Sequence, residues 1–195
     1  MNTIPKAIKN LKLLFAFRGY HPSFQECIAV TNEKEFRIID DEKSKCTCIT
    51  TDADPSKCCV VLNPKGDEAV VLSIDNKLIS NHKGGISDGA VFNISHFHFI
   101  EFKSNAMGHS LEQIKSTYDK AIDQLLETLN IFIKNISRTG LNFCEKTTIS
   151  CHIVVSKEFP RSSATEQTCQ LEFTLKTTKR FNYPVELDFE QSFDI

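Results

Sequence analysis

From Ser110 to Gly140 apolar residues recur every three or four positions: Leu111, Ile114, Tyr118, Ala121, Ile122, Leu125, Leu129, Phe132, Ile133 and Ile136. That spacing places one apolar stripe along an α-helix of about seven turns. Ser110, with Gln113 three residues on, fits a capping box, and Gly140 supplies the stop. A helix this long, dry on one side only, has to lie across a broad apolar surface.

The stretch just upstream, His96-Phe97-His98-Phe99-Ile100-Glu101-Phe102-Lys103, is apolar on both faces and reads as a strand inside a sheet. It nevertheless carries a carboxylate and an ammonium two residues apart. Side chains at i and i+2 leave the same face of a strand about 7 Å apart. Burying such a pair is costly unless it is neutralised. A divalent cation with a phosphate would do this, and so would a plain structural salt bridge. Residues 86–94 form the other arm of a hairpin that turns near residues 93–96. Asp88 shares parity with Ile86, Ala90 and Phe92, an acid on an apolar face that lies near Glu101 if the hairpin turns there.

Elsewhere the pattern predicts an opening helix over 4–17 and short strands over 26–31, 35–39, 59–62 and 69–74. The charged run Asp40-Asp41-Glu42-Lys43 reads as a solvated turn. Later strands are expected over 147–156 and 169–177, with a loop over 161–168 between them. An edge strand or acidic tail is expected over 183–195. A chain of 195 residues with 41% hydrophobic and 25% charged content suits one domain with a substantial core. The formal net charge of -2 gives no strong positive field for nucleic acid, although a local basic groove is compatible with it. No apolar run approaches the roughly 20 residues of a membrane helix. The first residues lack a secretory signature, so a reducing cytoplasm and free thiols are expected for the eight cysteines.

Cys46, Cys48, Cys58 and Cys59 lack the two-residue gaps of a zinc knuckle. Asp52 and Asp54 resemble only a fragment of a calcium loop. His96 and His98 share the strand face opposite Glu101, and both read as turn or surface histidines. Cys144, Cys151 and His152 make no nucleophile–base arrangement, and no Gly-rich phosphate loop is present.

Asp88 on one strand, Glu101-Phe102-Lys103 on the next, and Gln113 on the following helix resemble the PD-(D/E)XK nuclease superfamily. Where that family's first motif usually has proline before the aspartate, Ser87 stands here. The acid often contributed by the family's first helix has no counterpart in residues 4–17. The resemblance implies an α/β (α+β) fold, restriction-endonuclease-like, with a mixed central sheet and a long helix after the Glu-x-Lys strand. Its core would span about residues 57–137, with additional C-terminal strands. It also implies a nuclease that uses Mg²⁺ or Mn²⁺, with nucleic acid as partner and DNA ahead of RNA. The setting would be bacterial antiviral defence or repair. Asp88, Glu101 and the Phe102 carbonyl would be the metal ligands. Lys103 would position water or stabilise charge on the phosphate, and Gln113 would reach the site unless it serves only the cap. The rival expectation is a non-catalytic subunit of the same fold that binds a protein partner or a second copy. Leu126 and Ile131, which lie off the main helical stripe, would then offer a second apolar strip.

Overall fold

The computed structural model describes residues 4–20, 24–51, 54–80, 82–107 and 110–195. Among these it is a mixed α/β protein with two mixed sheets and five α-helices. The larger sheet uses β1 (Ile28–Thr31), β5 (Ala69–Ser73), β6 (Gly89–Phe92), β7 (His96–Lys103), β8 (Thr148–Val155) and β9 (Glu186–Asp188), in that spatial order. From β1 to β7 neighbours run antiparallel; β7, β8 and β9 run parallel. The smaller sheet orders β10 (Ser192–Asp194), β4 (Cys59–Leu62), β2 (Glu35–Asp41) and β3 (Cys46–Thr50), with β10 parallel to β4.

Alternation along the central strands sorts side chains into two cores. Phe97 and Phe99 of β7, with Val70, Leu72, Ala90, Phe92, Ile149, Cys151 and Ile153, pack under helices. Ile100 and Phe102, with Val71, Val91 and Val154, face Phe36, Ile38, Val61 and Phe193 of the smaller sheet. The layers are therefore helices, large sheet, small sheet, which is why β7 is apolar on both faces. Gly89 lets the small sheet approach: a Cβ there would lie 2.5 Å from Thr47 Oγ1 and 2.8 Å from the Leu72 carbonyl oxygen.

The long helix, α3, spans Leu111–Ser137, with Ser110 Oγ accepting from the Gln113 amide. Phe132 is its anchor, with ring centroids 5.7 Å from Phe97 and 4.9 Å from Phe99. Leu126 and Ile131 are buried with the main stripe, so they form no second apolar strip.

Three expectations change. The opening helix is two pieces, α1 (Lys6–Asn10) and α2 (Leu13–Ala16), broken at Lys12, whose φ of 51° leaves the helical region. Residues 24–27 form a 3-10 turn ahead of β1. The loop expected over 161–168, from Ser163 on, and the strand expected over 169–177 are instead one helix, α5 (Ser163–Phe181), capped by the Ser162 hydroxyl. Its buried residues, Glu166, Cys169, Phe173 and Thr177, follow a helical spacing. α4 (Phe143–Lys146) is a single turn before β8. Among the described residues no helix is long and apolar enough to cross a membrane. All eight cysteines are free thiols, and Asp52 of the calcium-like fragment lies outside the described residues.

Candidate active site

Antiparallel pairing sets Gly89 opposite Ile100, which brings Asp88 to the level of Glu101 on the neighbouring strand. The Phe102 amide donates to Asp88 Oδ2 at 2.6 Å. Phe102 thus meets Asp88 through its N–H. In turn, the Asp88 carbonyl accepts from the Ile74 amide at 2.9 Å, tying the aspartate to the end of β5.

Two further contacts hold the approach to Asp88 against α3. The Ser87 amide donates to Thr128 Oγ1 at 2.8 Å, a bond that proline at this position would lack. Gln124 Nε2 donates to the Ile86 carbonyl at 3.0 Å. Gly85, at φ +80°, lets the glutamine come this close, because a Cβ there would lie 3.1 Å from Gln124 Cγ.

Glu101 is 1% exposed. Lys103 Nζ donates to its Oε1 at 2.6 Å and to Gln124 Oε1 at 2.8 Å. The other oxygen, Glu101 Oε2, is buried with no hydrogen-bond partner among the described residues. Leaving such an acceptor unpaired costs about 1–3 kcal/mol.

Acids outnumber the ammonium here. Burial first, then the Asp40 charge, pushes the Asp88 carboxyl up to about 7. Burial and the neighbouring Asp88 raise Glu101 well above the usual carboxylate range, with Lys103 opposing them. Asp40 is raised too, by burial and then by Asp75, while Lys103 pulls it down. Contrary to the solvated turn expected there, Asp40 and Asp41 belong to β2 and are half-buried.

Asp88, Glu101 and Lys103 are therefore brought together. Gln113 lies in the first turn of α3, its amide donating to Ser110 Oγ at 3.3 Å. The glutamine that touches Lys103 is Gln124, three turns further along the same helix. Sequence reasoning passed over Gln124 and Asp40. The one local signal for Gln124 was the Gly84-Gly85 pair, which marks a close backbone approach.

Beyond the carboxyl ends of β7 and β8 opens a groove of about 930 Å³, whose walls include Lys57, Ser104, Asn105, Ser156 and Arg161. A smaller recess of about 270 Å³ shares Asp54, Lys57, Ser104 and Asn105 with it and reaches Asp40. Both begin one residue past Lys103. Arg161 is already engaged, donating from Nε and Nη2 to Glu166 at 2.7 and 3.0 Å.

Among the described residues no three His, Cys, Asp or Glu side chains are grouped closely enough to hold a metal ion as placed. That covers the cysteine set as well as the acids. No protein-family model matches the chain, and no curated protein or solved structure matches it.

Proposed function

We propose that this protein is a metal-dependent phosphodiesterase acting on nucleic acid, DNA before RNA, built on a restriction-endonuclease-like core. One observation carries the reading: Asp88 and Glu101 sit at one level of adjacent strands, beside a single ammonium, with more acid than the interior can neutralise. The antiparallel run β5-β6-β7, the α3 crossover and the parallel β8 support it.

Asp88 and Glu101 are the residues that would hold a hard divalent cation. Asp88 and Glu101 offer carboxylate oxygens, and the orphaned Glu101 Oε2 lacks the electrophile that a cation would be. Mg²⁺ or Mn²⁺ bound there would polarise a phosphoryl oxygen and lower the pKa of a bound water. Lys103 donates toward charge that develops on the phosphate as the water attacks. Gln124 orients that ammonium by accepting one of its protons and is itself fixed on the Ile86 carbonyl. Lys57, exposed between the two recesses, is placed to meet the polynucleotide backbone.

Incubation with DNA and with RNA in Mg²⁺ or Mn²⁺ tests the proposal. The expected outcome is cation-dependent cleavage that falls at least a hundredfold in Glu101→Ala and Lys103→Ala. Equal cleavage by both variants overturns it. Among the described residues no third acid stands at metal distance and Glu101 is already paired to Lys103, which favours a second reading. In that reading the same fold is a non-catalytic subunit that binds a protein partner or a second copy, possession of an isolable complex without cleavage being its mark.

A further inference from the structure

The opposite face of β7 runs into a polar floor that the proposed nuclease chemistry does not use. The smaller sheet ends at β10, whose Phe193 stacks on His98 and His152 at centroid distances of 4.4 and 4.3 Å. His98 is 7% exposed, so it is a buried histidine rather than a surface one. Beside that ring stack opens a cavity of about 570 Å³. Its floor follows the strand register: His98, Ser150 and Glu186 are neighbours in one row across β7, β8 and β9, and His152 and Asp188 in the next. Its far wall is α5, through Leu171 and Thr174. The Thr174 hydroxyl donates to the Val185 carbonyl at 3.3 Å and ties that wall to the start of β9.

The cavity is acidic, and among the described residues no lysine or arginine lines it. Glu186 and Asp188, two residues apart on β9, leave the same face about 7 Å apart. Asp188 Oδ1 accepts from the Phe189 and Glu190 amides at 2.6 and 3.0 Å, which fixes that carboxylate, while Glu186 is exposed. The imidazoles do not balance the two charges. Burial holds His152 down to about 4 against the pull of Asp188, and burial with His152 alongside holds His98 down to about 2. Both rings are therefore neutral at pH 7.

The floor is also short of hydrogen-bond donors. His98 Nδ1 and His152 Nε2 face each other at 2.9 Å, which leaves His98 Nε2 and His152 Nδ1 buried without a partner among the described residues. Whichever ring donates, one of those outer nitrogens is a bare lone pair. An unpaired buried acceptor costs about 1–3 kcal/mol.

We propose that this cavity binds a small organic polyamine, with primary ammonium groups on Glu186 and Asp188 and the aliphatic stem against Leu171. An anion would meet two carboxylates there, and a bare metal ion finds no placed set of ligands among the described residues. An ammonium asks for less. It brings three donors on a flexible stem and needs only acceptors at hydrogen-bond distance. Ser150 Oγ and the outward carbonyls of β9, the last strand of the larger sheet, add neutral acceptors to the two carboxylates. Leu171, 62% exposed, gives the methylene stem an apolar surface to lie on. Two carboxylates on one face favour a ligand with two or more charges over a single amine. A bound cation also keeps the imidazoles neutral, because positive charge beside them disfavours their protonation further.

Calorimetric titration of the full chain with spermidine, 1,4-diaminobutane and butylamine at low salt tests this. The expected result is one equivalent of spermidine, with 1,4-diaminobutane weaker and butylamine weakest, and with shifts of the His98 or His152 ring nitrogens in long-range ¹H–¹⁵N spectra. Glu186→Gln and Asp188→Asn should each lower spermidine affinity by about fivefold, the upper worth of one exposed ion pair. Leu171→Lys, which sets an ammonium at the mouth, should abolish binding. Glu186 and Leu171 are exposed, so both of their variants fold. Glu42→Gln, in the acidic recess near Asp40, should leave binding unchanged. Spermidine binding no tighter than that of butylamine, binding retained in Leu171→Lys, or binding weakened as much by Glu42→Gln as by Glu186→Gln overturns the proposal. Cleavage of nucleic acid is not a readout here, so the two sites stand or fall separately.

Discussion

On the helix side of β7 an acid and an ammonium sit 2.6 Å apart; on the sheet side of the same strand two imidazoles meet at 2.9 Å. Glu101 and both imidazoles are buried and Lys103 is half-buried, yet the strand solves the two burials differently. Glu101 has an opposite charge beside it and a surplus of acid around it, so a change of charge at Lys103 or at Asp88 alters the whole cluster. His98 and His152 are like groups that tolerate burial only by staying neutral. One face is held by a charge balance and the other by the avoidance of charge.

Removing the ammonium breaks that contrast most severely. Lys103→Met leaves Glu101 buried without its cation, and loss of one partner of a buried pair costs about 3–5 kcal/mol. Urea denaturation should show a loss of about that size. The double variant Glu101→Leu/Lys103→Met should recover to within about 1 kcal/mol of wild type, because it removes the orphaned charge with its partner. A double variant no better than the single one would mean that packing, rather than charge, holds this face.

Acidity separates the faces by sign. Asp88, with its folded value raised to about 7 from 3.8, contributes most stability below about pH 4 and loses it as the pH rises through about 7. Glu101 is shifted in the same direction. The histidines run the other way. Lowered from 6.5 to about 4 and about 2, their contribution is present above 6.5 and is lost as the pH falls toward those values. Each group changes stability by at most about 1.4 kcal/mol per pH unit. Between about pH 4 and 6.5 the two slopes oppose. Asp88→Asn should therefore steepen the loss of stability on acidification, and His152→Gln should flatten it. Denaturation midpoints measured across that window check both, and parallel profiles would contradict the contrast.

The sequence exposed these faces unequally. α3 and β7 were legible because periodicity records burial directly, and strand parity was enough to put Asp88 and Glu101 together. α5 was misread because Cys169, Leu171, Phe173 and Leu175 alternate like a strand. Leu171 and Leu175 are in fact 62% and 61% exposed, and the buried set follows a helical spacing. Gln124 is one polar residue among many on α3, and only the fold shows which turn reaches Lys103. Asp40 was hidden in a charged run that looks like a turn, though its strand continues through Asp41. The His98–His152 pair depends on the register of two strands joined through α3 and α4, a long-range fact that no local pattern encodes.

The most direct test of the acid face is a ¹³C titration of the Asp88 and Glu101 carboxyls with and without Mg²⁺. Without the cation Asp88 should titrate near pH 7 and Glu101 well above the ordinary carboxylate range. With Mg²⁺ both midpoints should fall together by one pH unit or more, because a shared cation favours both charged forms. Midpoints unmoved by Mg²⁺ would contradict the account and leave Glu101–Lys103 as a structural ion pair.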